Sequence, residues 1–153
     1  MEVLQVLAEA HLKDARQLFE EYAASLAFDL AFQNFAAELT HLPGDYAPPT
    51  GCVLLAFHNG QAAGCIALRR LADGVCEMKR LYVRPKLRGL GIGKALAEAV
   101  IVHARQRGYT TMRLDTVATM RHAQGLYESL GFTDTEPYSY NPLAGGRFMQ
   151  LPL

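Results

Sequence analysis

Between Val75 and Ala104 the chain reads VCEMKRLYV, RPKLRGLGIGK and ALAEAVIVHA: an alternating strand-like run, a basic glycine-rich linker and an apolar helical repeat. This strand–loop–helix unit constrains the fold more than any other stretch. A glycine-rich turn entering a helix leaves backbone N–H groups unpaired at the positive end of the helix dipole, which suits a phosphate. Two common phosphate loops do not fit. In the pattern GxxxxGK(S/T) the first glycine would fall on Arg88 and the magnesium-binding hydroxyl on Ala95. In the dinucleotide pattern GxGxxG the spacing fails, because Gly89, Gly91 and Gly93 alternate and the preceding strands form a meander. What remains is a pyrophosphate cradle of the form Q/R-x-x-G-x-G/A, met in full by Arg88, Gly89, Leu90, Gly91, Ile92 and Gly93.

The elements around this unit follow from periodicity. Glu2 to Leu7 alternates as a short strand, and His11 to about Phe28 places Leu12, Ala15, Leu18, Phe19, Tyr22 and Leu26 on one helical stripe. A second helix is expected over Ala31 to Leu39. The segment HLPGDYAPPTG, with three prolines, reads as loop. Cys52 to Phe57 and Ala62 to Leu68 flank Asn59-Gly60, a tight hairpin turn, and Asp73-Gly74 turns the chain into Val75 to Val83. After the helix that Gly108 caps come a strand over Thr110 to Leu114, a helix over Arg121 to Leu130 and late strands from Phe132 and over Arg147 to Leu151. The order β-α-α-β-β-β-α-β-α-β-β predicts an α/β fold with helices on the faces of a sheet.

At 153 residues the chain suits one domain spanning 1–153. Its 15 basic residues balance 15 acidic ones, which argues against nucleic acid as the main partner. The N-terminus lacks a basic stretch leading into an apolar one, and no apolar run is long enough for a bilayer, so a cytoplasmic protein without membrane contact is expected. Cys52, Cys65 and Cys76 form no metal spacing and read as buried free thiols, and the scattered histidines offer no metal site.

The run CEMKRLYVRPKLRGLGIGKAL followed by AQGLYESLGF resembles the GNAT superfamily of acyl-CoA-dependent N-acetyltransferases. The resemblance implies a mixed, mostly antiparallel, splayed sheet of about six to seven strands with about four helices. It also implies acetyl-CoA as cofactor, its pyrophosphate on Arg88 to Lys94 and its pantetheine arm along the Val75 to Val83 strand, with Leu81, Tyr82 and Val83 in contact. The local excess of Lys79, Arg80, Arg84, Lys86, Arg88 and Lys94 agrees with a polyanionic ligand.

Acetyl transfer to an amine needs a neutral nitrogen, donors for the developing oxyanion and an acid for the departing thiolate. By resemblance Tyr127 is that acid; the alternative is a tyrosine packing with Leu126 and Leu130. Glu77 stands where some members carry a general base, and otherwise reads as a solvated residue facing Lys79. Relatives often carry an asparagine seven residues before the tyrosine, where this chain has Met120, leaving Thr116, Thr119 and His122 as polar substitutes nearby.

In this fold the first two helices and the late strand loop build the acceptor side. Here those parts hold Phe28, Asp29, Phe32, Phe35 and Tyr46, then Tyr138, Tyr140, Asn141 and Phe148, with Asp115 at the end of LDT. Asp29, Phe32, Asp115, Tyr138, Tyr140 and Asn141 are the candidate substrate contacts. Such a set suits a small amine or amino-acid-like molecule better than a long basic tail. A protein or peptide N-acetyltransferase and a non-catalytic acyl-CoA-binding module are the alternatives, and an exposed strand edge beside the splay would allow a homodimer.

Overall fold

The computed structural model describes residues 1–26, 30–117, 120–141 and 146–153. The elements run β1 (Glu2–Gln5), α1 (Glu9–Ser25), α2 (Phe35–Thr40), β2 (Cys52–His58), β3 (Gln61–Ala72), β4 (Val75–Val83), α3 (Ile92–Gln106), β5 (Thr111–Thr116), α4 (Arg121–Ser129), β6 (Thr133–Asp134) and β7 (Arg147–Pro152). They form a seven-stranded sheet in the order β1-β2-β3-β4-β5-β7-β6. Every pairing is antiparallel except that of β4 with β5. That parallel pair is the consequence of α3, because a crossover helix is what returns a chain in the same direction. Among the described residues no helix is long and apolar enough to cross a membrane.

Both faces of the sheet are covered, which is why β2 reads as a nearly continuous apolar run. Cys52, Leu54 and Ala56 face the core under α3 and α4, whereas Val53 and Leu55 face the core under α1 and α2. The Asn59-Gly60 turn is as expected: both residues take a positive φ, 51° and 78°, as a two-residue hairpin turn requires.

Two departures from the sequence expectation shape the site. The helix expected over 31–39 is broken by Asn34, whose φ of 56° is left-handed, into a 3-10 turn over Leu30–Gln33 and the short α2. Asparagine tolerates that conformation better than most residues.

The second departure is a bulge in β4. Cys65 pairs with Tyr82 and Ala67 with Lys79, so Ile66 alone on β3 stands opposite two residues of β4, Arg80 and Leu81, and Arg80 takes a φ of 63°. The bulge inverts the side-chain alternation. Cys76 and Met78 face the α3 core, but beyond Arg80 it is Leu81 and Val83 that pack there, while Tyr82 joins the α1 core. The phase break is visible in the sequence itself, where apolar positions step from 76 and 78 to 81 and 83.

Candidate active site

β4 and β5 are paired only where Val75–Glu77 meets Thr111–Arg113. Beyond Glu77 the two strands diverge, and a cleft opens between them. Its walls are Met78 to Leu81 of β4 and Leu114 to Val117 at the end of β5; Tyr22, Leu30 and Gln33 close one side, and Met120, Ala123, Tyr127 and Asn141 the other. Among the described residues the splay leaves the edge of β4 from Met78 to Val83 without a strand partner on the β5 side.

At one end of this edge lies the glycine-rich loop. Gly89 and Gly91 have φ of 86° and 81°, and a Cβ at either would meet nothing within 4 Å, so the loop bounds open space. α3 begins immediately after it with no side-chain cap, and its first backbone bond runs from the Ala95 N–H to the Gly91 carbonyl. The N–H groups of Ile92, Gly93 and Lys94 therefore face outward at the positive end of a 15-residue helix. Arg88, Leu90 and Lys94 are exposed around it, and Arg88 is steadied by the Val83 carbonyl (2.9 Å) and the Tyr82 ring, 5.9 Å away. An open, donor-rich loop at the end of an unpaired strand edge fits a pyrophosphate followed by an extended arm.

The basic cluster seen in the sequence divides into two sets. Lys86, Arg88 and Lys94 surround the loop, but Arg84 is clamped on Glu21 through Nε (3.0 Å) and Nη2 (2.8 Å) and on the Ala62 carbonyl through Nη1 (2.7 Å). Arg80 is likewise held by Glu38 and by Gln33. Arg80 and Arg84 thus anchor α1 and α2 to β4, and their charges are matched within the protein.

Tyr127 lies on α4 at the cleft, 8% exposed, its ring 5.8 Å from that of Phe132. It belongs to the core and lines the site at once, so packing and chemistry are not alternatives for it. Burial pushes its phenol well above the ordinary value, with Tyr22 and Asp115 adding to the effect. It stays protonated through the neutral range. Tyr22, on the core stripe of α1, also lines the cleft, and burial lifts its phenol to about 12.

Glu77 is not a solvated strand residue: it is 1% exposed. Its Oε1 accepts from Arg69 Nε (2.7 Å) and its Oε2 from the Tyr138 hydroxyl (2.7 Å), with Lys79 Nζ 3.9 Å from Oε1. It is absent from the lining of the cleft, and it fixes three side chains around the base of the splay. Asp115 does line it. Burial raises the Asp115 carboxyl above its ordinary range; Lys79 and Arg80 oppose this, Glu77 reinforces it, and Asn141 Nδ2 donates to Oδ2 at 3.3 Å.

The remaining expected substrate contacts are dispersed. Asp115 and Asn141 come together in the cleft, whereas Tyr138 is tied to Glu77 and packs edge-on against Phe148 at 5.2 Å. Tyr140 is 73% exposed and is not among the described residues that line the cleft. Phe35 and Tyr46 are core residues. Asp29 and Phe28, with the Phe32 side chain, lie outside the described residues. Of the polar substitutes near Met120, Thr116 lines the cleft but its hydroxyl accepts from Gln124 Nε2 (2.6 Å), His122 is exposed, and Thr119 lies outside the described residues. Met120 itself lines the cleft. The three cysteines are buried and free; burial lifts the Cys52 thiol to about 11 and Cys76 to about 12, and raises Cys65 further.

Sequence reasoning missed Tyr22, Gln33, Lys79 and Arg80 as site residues. For Lys79 and Arg80 the signal was present as the phase break in β4; for Gln33 there was none, because only the kink at Asn34 brings it to the cleft.

Residues 9–132 match the acetyltransferase (GNAT) family. An uncharacterized N-acetyltransferase of Schizosaccharomyces pombe is 42% identical over 144 residues, covering 93% of this chain and 88% of its own. A GNAT-family acetyltransferase from Staphylococcus aureus Mu50 superposes with a TM-score of 0.79 at 22% identity, covering 99% of this chain and 98% of that one. The structure of yncA from Salmonella typhimurium, solved with its cofactor acetyl-CoA, superposes at 0.72 with 22% identity, covering 99% and 94%. With the splayed sheet, the open loop and the tyrosine at the cleft, these matches establish that the chain belongs to the GNAT family and is an N-acetyltransferase that uses acetyl-CoA.

Proposed function

We propose that the protein acetylates the primary amine of a small molecule by direct attack in a ternary complex, with Tyr127 as the general acid. The observation that carries this reading is the cleft itself, in which Tyr127 and Asp115 share one lining and Tyr22, Leu30 and Gln33 close the acceptor side. A site walled by α1 and the Leu30–Gln33 turn suits a compact acceptor better than a peptide lying across it.

Acetyl-CoA would supply an acetyl thioester; the loop from Arg88 to Lys94 would hold its pyrophosphate, and the edge of β4 at Leu81 to Val83 would receive its arm. Asp115 takes a proton from the acceptor ammonium and releases it to solvent, freeing the nitrogen lone pair. A carboxyl raised by burial is a better base than an ordinary one. The C–N bond forms as the C–S bond breaks. Tyr127 gives its phenolic proton to the sulfur and regains one from the second proton that the nitrogen sheds, so one proton is released per turnover. Glu77, with both oxygens hydrogen-bonded outside the cleft lining, is assigned to positioning Lys79, Arg69 and Tyr138 in place of the base role its sequence position suggests.

The test is thiol release from acetyl-CoA with amino acids, polyamines, aminoglycosides and short peptides, beside a blank without acceptor and the Tyr127→Phe variant. Turnover of a small amine that falls in the variant supports the reading; turnover of peptides alone refutes it.

A further inference from the structure

Lys79 and Asp115 occupy opposite walls of the cleft, one on β4 and one on β5, each within the other's field but without an ion pair between them among the described residues. The Lys79 side chain is 9% exposed. An ammonium carries three N–H donors. Among the described residues one of them meets an acceptor, Gln33 Oε1 at 3.1 Å; Glu77 Oε1, at 3.9 Å, pairs with the charge but is beyond hydrogen-bond reach. A buried cation with donors to spare is costly unless an anion completes its shell, and burial accordingly lowers the Lys79 pKa, with Arg80 adding to the effect and Glu77 and Asp115 resisting it.

The neighbours sharpen the assignment. Arg80 has its charge matched, since Glu38 takes Nε and Nη2 while Gln33 Oε1 takes Nη1 at 2.7 Å. Because Lys79 and Arg80 both donate to Gln33 Oε1, the orientation of that amide is set, and its nitrogen is left without an acceptor among the described residues. Gln33 lines the same cleft. Across it, Asp115 receives Asn141 on Oδ2, and among the described residues no donor meets its Oδ1. One wall therefore offers cationic and amide donors and the other a carboxylate, held apart by the splay.

Building on the small-molecule reading above, we propose that the acceptor is an amine bearing a carboxylate close to its nitrogen, an amino acid or near relative. Its carboxylate is received by Lys79 and the Gln33 amide, and its amine by Asp115. A free diamine or a peptide N-terminus, having no carboxylate beside the nitrogen, leaves the Lys79 wall unmatched.

Matched sets test this: an α-amino acid, its primary amide and its decarboxylated amine, with aliphatic, aromatic and acidic side chains, each assayed for kcat/KM by thiol release. The same compounds are scored by thermal stabilisation of the CoA-saturated protein, so that binding is read even without turnover. The carboxylated member is expected to exceed the other two by about ten- to a hundredfold, mainly through KM, the worth of a charge-assisted hydrogen bond. Lys79→Met is expected to bring the ratio towards one and Lys79→Arg to retain part of it. Decarboxylated amines that match or exceed the amino acids, or a preference that survives in Lys79→Met, would overturn the carboxylate site while leaving a small-molecule enzyme standing. Turnover of peptides alone, with no stabilisation by any amino acid, would overturn both readings.

Discussion

Arg80 sits within β4 at a left-handed φ of 63°, and its guanidinium grips Glu38 of α2 with two parallel bonds, Nε to Oε2 at 2.8 Å and Nη2 to Oε1 at 2.9 Å. A left-handed non-glycine residue costs about 1–2 kcal/mol. The two-pronged pair, with the Phe35 ring 5.2 Å from the guanidinium, offsets that strain and ties α2 to the bulge beside the splay. The α2 wall and the strand edge are thereby one mechanical unit.

Removing one partner tests this coupling. Glu38→Ala leaves a buried guanidinium without its carboxylate and is expected to lose about 3–5 kcal/mol of stability, read from urea unfolding. Acceptor KM is expected to rise in the same variant, because Arg80, released from Glu38, no longer fixes the Gln33 amide to which Lys79 also donates. A variant with unchanged unfolding and KM would show that the bulge holds itself.

Tyr127→Phe removes the phenolic donor and little packing. Turnover is expected to fall by about a hundredfold or more, with the affinity for CoA, measured by calorimetry, within about twofold of the parent because the loop and strand edge are untouched. Loss of CoA binding in equal measure would mark the residue as structural.

Asp115 links stability to pH in a definite direction. Because burial raises its pKa, the folded protein holds this proton more tightly than the unfolded chain. The resulting stabilisation is complete below the ordinary carboxylate range and is lost as pH rises through the raised folded value, so the ionised group destabilises the fold at neutral pH. Asp115→Asn is expected to melt higher than the parent at pH 7, with the difference vanishing in acid. Its kcat/KM is expected to fall and to lose the acid limb of the pH profile.

At Gly91 the φ of 81° rules out a side chain without strain, although a Cβ would meet no protein atom within 4 Å. Gly91→Ala is expected to lose about 1–2 kcal/mol of stability and to weaken CoA binding by about tenfold or more, because the methyl enters the space at the open N–H groups. Calorimetry and thermal melting read the two effects separately. A variant of reduced stability but full affinity would remove this loop from the cofactor site.

The strand–loop–helix unit expected to hold the cofactor was legible from its residues because its determinants are local. The strand, the glycines and the apolar repeat of α3 lie within one run of 30 residues, from Val75 to Ala104, and positive φ and helix N-termini leave their mark in residue type. Tyr127 came from the family resemblance, and the structure places it on a short helix at the cleft. The acceptor side was decided by tertiary structure. Gln33 reaches Arg80 across 47 positions, beside a left-handed Asn34 and a one-residue bulge at Arg80, and Tyr138 reaches Glu77 across 61. The bulge left Arg80 beside Lys79 in the wall of the cleft, and burial made Glu77 a hub of hydrogen bonds instead of a solvated carboxylate. Residue type and spacing set which backbone geometries a segment can adopt, but which charges are desolvated, and against whom, depends on how distant segments pack.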